Sequence, residues 1–268
     1  MSTSGKPGRA SGLLAEIMAA KQAEVVERRG RVAERELLEQ SRRRLPRPFF
    51  QALLPSGRGI IAELKRKSPS RGVLREDYRP ARLAAGYEAA GARALSVLTD
   101  GPYFGGSLYH LGEAREATGL PVLRKDFIID EYQVAEAAAA GADAILLIVA
   151  ALDDGQLRLL FSRAMELGLD ALVEVHGEEE LERAAALGAR LIGVNNRDLA
   201  TLEVSIETSL RLAPRLRPGT LAVSESGLRS RADLDRLEAA GYRAFLIGES
   251  FLAAPDPAAA LRQMLDQC

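Results

Sequence analysis

The fold turns on one stretch, Ile60-Ile61-Ala62-Glu63-Leu64-Lys65-Arg66-Lys67-Ser68-Pro69-Ser70-Arg71-Gly72. It begins with a short apolar run, which is typical of a buried strand, and ends in charged residues and a Ser-Pro-Ser-Arg-Gly loop. Because strand side chains alternate between two faces, we expect Glu63 and Lys65 on the same side. Two opposite charges at the end of a buried strand indicate a role besides packing. The alternative is that Lys65-Arg66-Lys67 forms a solvated basic turn.

The same pattern, a short apolar run followed by a helical segment, repeats after residue 60. The predicted strands are Ile60–Leu64, Ala94–Leu98, Pro121–Leu123, Ala144–Val149, Ala171–Val175, Leu191–Val194, Leu221–Val223 and Ala244–Ile247. Five helical segments end at a glycine, which suits the positive φ that follows a helix: Gly91, Gly141, Gly168, Gly188 and Gly241. Strands that alternate with helices pair in parallel, so eight such units predict an α/β protein with a (β/α)8 TIM barrel. A doubly wound open sheet, the alternative, lacks its Gly-x-Gly-x-x-Gly motif here.

The residues before the first strand predict an N-terminal helical extension of the barrel. Apolar positions from Leu13 to Val25 recur at helical spacing, and a second helical piece is predicted around residues 34–43. We therefore expect a disordered tail over residues 1–12, the extension over 13–56 and the barrel over 57–268.

Composition excludes several classes of function. The chain has 36 basic and 37 acidic residues, so no basic field favours nucleic acid as a partner. No apolar run reaches the roughly 18 residues that span a bilayer, and the N-terminus lacks a signal-peptide core, so no membrane partner is expected. The one cysteine, Cys268, excludes a disulfide framework and fits a cytoplasmic protein. No His-Glu-x-x-His motif or Cys/His cluster predicts a metal site.

Polar residues gather where the predicted strands end, and this is where a TIM barrel carries its functional groups. They are Glu63, Lys65, Lys125, Glu174, Asn195, Ser226 and Glu249. If Val173 and Val175 face the helices, Glu174 faces the interior, where a lone carboxylate is costly unless it is paired or functional. A nearby lysine would pair with it and shift both pKa values toward general acid–base use. A structural ion pair is the alternative.

Other residues of this rim predict ligand contacts. Gly227 and Gly248 follow the seventh and eighth strands, whose loops are a frequent phosphate site, although both suit ordinary turns. An apolar cleft for an aromatic substrate is predicted from Phe104, Phe127, Ile148 and Leu199, with barrel core as the ordinary interpretation. His176 is either functional or structural, and Arg197 is expected to pair with Asp198.

The chain resembles the indole-3-glycerol phosphate synthase family of the tryptophan pathway. The resemblance rests on these segments, in order and at barrel spacing: Ala62-Glu63-Leu64-Lys65-Arg66-Lys67-Ser68-Pro69-Ser70, Tyr103-Phe104-Gly105-Gly106-Ser107, Leu123-Arg124-Lys125-Asp126-Phe127, Val173-Glu174-Val175-His176, Asn195-Asn196-Arg197-Asp198-Leu199, Ser224-Glu225-Ser226-Gly227 and Leu246-Ile247-Gly248-Glu249. It implies a carboxy-lyase that needs no cofactor or metal and acts as a monomer or weak homo-oligomer. The implied substrate is a phosphosugar carrying anthranilate, 1-(2-carboxyphenylamino)-1-deoxyribulose 5-phosphate.

The resemblance also implies a role for each residue. Lys125 would be the general acid, Glu174 the general base of the dehydration, and Lys65 the partner of the substrate carboxylate and a second candidate donor. The ribulose hydroxyl groups of the substrate would contact Glu63, Asn195 and Ser226. Phosphate would lie on Ser68, Gly227, Gly248 and the amide of Glu249, whose side chain is expected to turn outward. The anthranilate ring would lie among Phe104, Phe127 and Leu199, under a mobile lid at Ser68–Arg75.

Two other functions stay open. Phosphoribosylanthranilate isomerase, a phosphate-binding barrel, is expected to use a Cys/Asp pair, and Cys268 is the terminal residue. A non-catalytic phosphosugar-binding barrel would not need Lys125 and Glu174 together, so turnover distinguishes it.

Overall fold

Eight parallel strands close into a barrel in the computed structural model, which describes residues 12–265. The strands are β1 (Gly59–Leu64), β2 (Ala94–Leu98), β3 (Val122–Lys125), β4 (Ala144–Ile148), β5 (Asp170–Val175), β6 (Leu191–Asn195), β7 (Leu221–Glu225) and β8 (Ala244–Ile247). Each strand pairs with its neighbours in sequence, and β8 pairs with β1 in the register Gly59 to Ala244. The predicted (β/α)8 barrel is confirmed.

Helices occupy the segments between the strands and precede the first one. They are α1 (Gly12–Arg31), α2 (Glu34–Ser41), α3 (Phe49–Ala52), α4 (Pro80–Ala89), α5 (Gly101–Phe104), α6 (Leu108–Glu116), α7 (Glu131–Ala139), α8 (Asp154–Glu166), α9 (Glu178–Ala186), α10 (Glu207–Leu212), α11 (Arg231–Ala239), α12 (Glu249–Leu252) and α13 (Pro257–Leu265). Asp153 and Ser230 begin α8 and α11 with reciprocal capping boxes. The five glycines predicted to end helices all have positive φ.

The barrel interior is filled by alternate side chains of the strands. One buried cluster contains Ile61, Leu123, Leu146, Leu172, Leu191, Leu221, Val223 and Leu246. The residues between them, such as Val173 and Val175, belong to the outer cluster that packs against the helices. Because the period is two, the interior row that passes through Leu172 continues to Glu174 at the carboxyl end of β5. The alternation of side chains thus places polar groups at the carboxyl ends of the strands, next to the apolar interior of the barrel.

The N-terminal helices pack on two sides of this barrel. Phe49 of α3 and the following Leu53 join the interior cluster, and the Phe50 amide donates to Asp170 at the start of β5, so α3 packs against the end of the barrel where the strands begin. Val25 of α1 and Leu37 of α2 form a separate cluster on α7. The domain division stays a prediction. Apart from Gly12, the predicted tail lies outside the described residues, as does Cys268.

The loop after β1 is folded. Lys67–Ser68 pairs in antiparallel fashion with Gly72–Val73, so the segment predicted as a mobile lid contains a short hairpin, and its mobility stays a prediction. Between residues 12 and 265, every helix is too short or too polar to cross a bilayer.

Candidate active site

A cavity of about 200 Å³ lies at the carboxyl ends of the strands. The predicted site residues that line it are Glu63, Lys65, Phe104, Lys125, Phe127, Ile148, Glu174, Asn195, Leu199, Ser226, Gly227, Gly248 and Glu249. Ser68 is not part of this wall. It lies in the hairpin, buried, with its hydroxyl 3.4 Å from that of Ser70. Alternation and loop position therefore bring nearly the whole predicted constellation together.

One lysine at the centre of the site is shared by two carboxylates. Lys125 Nζ lies 2.8 Å from Glu174 Oε2 and 3.0 Å from Glu225 Oε2. Burial disfavours the charged lysine, but the two glutamates outweigh burial and raise its pKa. Burial also raises the pKa of Glu174, yet Lys125 and His176 bring it below the ordinary value. For Glu225, burial and the charge of Glu174 prevail over Lys125 and raise the pKa to about 7. Such a cluster holds and moves protons near neutral pH.

Glu225 is the functional candidate that the sequence analysis missed. Its alternation with Val223, an interior residue, would have indicated it, since Val223 and Glu225 lie on the same face of β7. Gly193 on the neighbouring strand makes room for it, because a Cβ there would overlap Glu225 Oε1. A glycine inside a strand is thus explained by the carboxylate beside it.

Glu63 and Lys65 face each other as predicted. Lys65 Nζ donates to Glu63 Oε1 over 2.6 Å, and both side chains are largely buried. A Cβ at Gly248 would lie 2.5 Å from the same Glu63 oxygen. Gly248 is therefore required by the Glu63 side chain, which occupies the space that a Cβ would take.

The predicted phosphate end lies between the loops after β7 and β8. Ser226 and Gly227 both have positive φ, at 67° and 75°, and a Cβ at Gly227 would lie 2.5 Å from Val204 Cγ1. Arg229 lines the same part of the cavity. The backbone here is bent sharply enough that glycine fits at position 227 where other residues would be strained.

Two predictions about this end are wrong. The Glu249 side chain does not turn outward: Arg71 Nη2 lies 2.9 Å and Arg197 Nη2 3.9 Å from its carboxylate, because guanidinium groups from two loops converge there. Arg197 does not pair with Asp198. The Asp198 carboxylate instead accepts from the amides of Ala200 and Thr201, the ordinary behaviour of aspartate in a turn.

The opposite wall is apolar. The rings of Phe104 and Phe127 lie 6.2 Å apart at 36°, and Leu199 and Leu14 line the same cavity. Leu14 belongs to α1, so the N-terminal extension contributes to the site, which the sequence analysis did not predict. This wall suits a flat aromatic group. Within residues 12–265, no group of three or more His, Cys, Asp or Glu side chains is arranged to hold a metal ion.

The fold and the site define a TIM barrel whose central cavity holds a lysine shared by two carboxylates, an arrangement suited to acid–base chemistry. The model of one protein family, indole-3-glycerol phosphate synthase, matches residues 14–264. The chain belongs to the indole-3-glycerol phosphate synthase family.

Two curated relatives support this assignment, and two solved structures support the fold. The indole-3-glycerol phosphate synthase of Desulfosudis oleivorans is 50% identical over 258 residues, which cover 94% of this chain and 98% of the relative. The enzyme of the same name from Koribacter versatilis is 54% identical over 223 residues, covering 82% and 86%. Solved structures of 3-hexulose-6-phosphate synthase and of thiamine phosphate pyrophosphorylase from Pyrococcus furiosus match with TM-scores of 0.62 and 0.57 and identities of 18% and 16%. Each covers 78% of this chain, with 99% and 94% of its own length, and supports the fold alone.

Proposed function

We propose that this chain converts 1-(2-carboxyphenylamino)-1-deoxyribulose 5-phosphate into indole-3-glycerol phosphate, with loss of CO2 and water. The activity follows from membership of the family and makes the chain a carboxy-lyase of tryptophan biosynthesis. One observation carries the assignment of chemistry to residues. The Lys125 ammonium lies between Glu174 and Glu225, in a cavity that also has an aromatic wall and a glycine-rich end.

Ring closure needs an acid at the ketone of the substrate. The aromatic carbon that bears the carboxylate attacks the carbonyl carbon, and Lys125 gives its proton to the oxygen as the carbon–carbon bond forms. The bond to the carboxylate then breaks, its electron pair returns to the ring, and CO2 leaves. Desolvation of the carboxylate in an apolar wall favours its departure as a neutral molecule.

Dehydration needs a base and a second protonation. The new hydroxyl group leaves as water after it receives a proton from a lysine, Lys125 or Lys65, while Glu174 accepts the proton that the indoline loses. Two lysines with carboxylate partners at 2.6 to 3.0 Å supply the exchangeable protons. The double bond that forms completes the indole ring.

Binding would use the remaining residues of the cavity. The anthranilate ring would lie against Phe104, Phe127, Ile148 and Leu199, with its carboxylate on Lys65 in place of Glu63. The ribulose hydroxyls would contact Glu63, Asn195 and Ser226. The phosphate would lie on the amides of Gly227, Gly248 and Glu249 and on the Ser68 hydroxyl, in the region where this fold frequently binds phosphate. A chain with one cysteine suits a reducing, cytoplasmic compartment.

A direct assay tests the function. The purified chain is given this substrate, and indole fluorescence and CO2 release are followed together. We expect both products at equal rates. A parallel sample receives phosphoribosylanthranilate, the substrate of the alternative isomerase, and we expect no conversion. Isomerisation without indole formation, or inertness toward both compounds, would remove the assignment.

A further inference from the structure

His176 is fixed between two carboxylates just after β5. Its Nδ1 lies 3.0 Å from Glu180 Oε2, and its Nε2 lies 3.4 Å from Glu174 Oε1. The backbone amide of His176 donates to the same Glu180 carboxylate over 2.8 Å, which ties the residue to the first turn of α9. The side chain is only 12% exposed. His176 is thus held in one orientation by the strand that carries Glu174 and the helix that follows it.

This arrangement favours a proton on both ring nitrogens. Nδ1 lies at hydrogen-bond distance from Glu180, and Nε2 makes no hydrogen bond with the described residues but lies 3.4 Å from the Glu174 carboxylate. A neutral imidazole donates from one nitrogen and turns a lone pair outward from the other, so one of its two carboxylate neighbours would face a lone pair. The imidazolium offers a donor to each. Burial disfavours the charge, but the neighbouring carboxylates of Glu174 and Glu180 outweigh burial and raise the pKa of His176 to about 10.

The other groups around the ring agree with its charge. Asp198, in the loop after β6, is the third carboxylate that His176 influences. Backbone donors from Thr201 and Ala200 lower the Asp198 pKa, and the charge of His176 contributes. Lys125 contacts the other oxygen of Glu174. The charged groups that act on the ring are therefore the carboxylates of Glu174, Glu180 and Asp198.

Glu174 and Glu225 differ because of this histidine. Both accept from Lys125, at 2.8 and 3.0 Å, and both are buried. The second oxygen of Glu174 faces the ring of His176, whereas the second oxygen of Glu225 is buried with no hydrogen-bond partner among the described residues. A buried carboxylate oxygen without a donor favours the protonated acid.

We propose that His176 is a positioning residue for the reaction, whose constant positive charge keeps Glu174 an anion and directs the proton of the carboxylate pair to Glu225. The ring does not line the cavity and acts through Glu174. The inference rests on the proposed function, since Glu174 must be free to accept a proton. It adds the reason why one carboxylate of a matched pair serves as the base.

Nuclear magnetic resonance tests the charge directly. The chain has two histidines, so a His110→Gln variant without a histidine tag leaves His176 as the single ring. His110 packs edge-on against Tyr78, outside the site. We expect ¹⁵N shifts of a doubly protonated ring from about pH 6 to about pH 9. A ring that titrates near the ordinary value of about 6.5 overturns the proposal.

The pH dependence of activity tests the consequence. In His176→Gln a neutral donor replaces the cation, so the acidic limb of kcat/KM should move up by about one to three pH units. Activity should fall about tenfold or more at the acidic end and recover toward that of the native chain as the pH rises. Equal loss at every pH would mean a purely structural histidine, and no loss would mean no role. Both results overturn the proposal. Turnover of the substrate by the native chain tests the proposed function independently of either result.

A second variant covers the case in which His176→Gln does not fold. Glu180→Gln keeps the ring but removes one of its carboxylates, so the His176 titration should move down toward neutral pH. The ring is still charged at the pH of the acidic limb of kcat/KM, so this variant should keep the acidic limb of the native chain. An acidic limb that moves while the ring stays protonated, or a ring titration that does not respond to the loss of Glu180, would overturn the proposal.

Discussion

At the scale of single residues, chemistry depends on which carboxylate binds a proton. Among residues 12–265, Glu174 has two cationic neighbours, Lys125 and His176, whereas Glu225 has one cation within hydrogen-bond distance, Lys125. Their pKa values accordingly move in opposite directions from the ordinary one. Opposite shifts within a pair of titratable groups are typical of an acid–base division of labour.

Exchanging each carboxylate for its amide should separate the two roles. Glutamine resembles the protonated acid, so Glu225→Gln should retain kcat within about tenfold, whereas Glu174→Gln should lose about 10²–10⁴-fold, the usual contribution of a general base. Steady-state indole fluorescence near neutral pH measures both. Equal losses in the two variants would contradict the assignment of the base.

The same pair predicts how stability depends on pH. The folded chain raises the Glu225 pKa from 4.5 to about 7, so this group binds more protons in the folded state and its contribution to stability falls as the pH rises between these values. Glu225→Gln removes that dependence and should be more stable than the native chain above neutral pH. Urea unfolding at several pH values measures the difference. A native chain that stays the more stable one at alkaline pH would contradict the raised pKa.

Alternation along strands predicted most of these residues. Glu63, Lys65 and Glu174 follow from the period of two and the end of each apolar run. Glu225 was missed because its strand was expected to end at Val223. The residues that follow, Ser224-Glu225-Ser226-Gly227, resemble a loop. The partners of Arg197 and Glu249 depend on contacts between loops that are distant in sequence, which a local pattern does not contain.

At the scale of elements, one buried lysine joins the N-terminal helix to the barrel. Lys21 of α1 lies 3.0 Å from Asp100 and 2.9 Å from Asp126, and all three side chains are buried. Asp100 also accepts from the Phe104 amide at the start of the loop after β2, and Asp126 precedes Phe127. The cluster thereby holds two loops whose rings form the apolar wall of the cavity.

Removing Lys21 should weaken both the attachment of helix α1 and the apolar wall of the cavity. Lys21→Met leaves buried carboxylates with fewer cations, so we expect a loss of about 3–5 kcal/mol in the free energy of unfolding. The matched control is Lys67→Met, because Lys67 donates to a backbone carbonyl, and it should change stability by about 0.5 kcal/mol or less. Urea unfolding near neutral pH compares them. Equal stability of the two variants would contradict the conclusion that Lys21 holds α1 against the barrel.

Acid should weaken the same cluster. Burial raises the Asp126 pKa, but Arg124 and Lys21 outweigh it and lower the value from 3.8 to about 2. The stability that Asp126 contributes is therefore present above pH 3.8 and is lost as the pH falls through about 2. In Lys21→Met this loss should begin at a higher pH. Acid unfolding of the native chain and of Lys21→Met, monitored by circular dichroism, measures the difference. Coincident unfolding curves would contradict the pairing of Lys21 with Asp126.

Regular elements were predictable and short ones were not. The eight strands and the first two helices follow from periodicity. Helix α3 has four residues, too few to be stable alone, and it forms because Phe49 packs against the barrel interior. The hairpin after β1 has two-residue strands, below the length at which alternation is readable.

At the scale of the whole molecule, the fold collects charges of both signs at one end of a nearly neutral chain. Lys65, Lys125 and Arg197 each face a glutamate, so the cavity without substrate is not the simple cationic mouth that its lysines suggest. The carboxylate of the proposed substrate would replace Glu63 as the partner of Lys65. Binding by exchange of ion pairs keeps the buried charges compensated before and after the substrate enters.

One measurement tests the central claim, that Lys125 supplies the proton for ring closure. Single-turnover indole fluorescence is recorded for Lys125→Met with enzyme in excess, beside Lys67→Met as the matched lysine control and with circular dichroism as a check of folding. The account predicts a folded Lys125→Met protein whose rate of ring closure is lower by about 10²–10⁴-fold, and a control near the native rate. A Lys125→Met protein that closes the ring at nearly the native rate would contradict it.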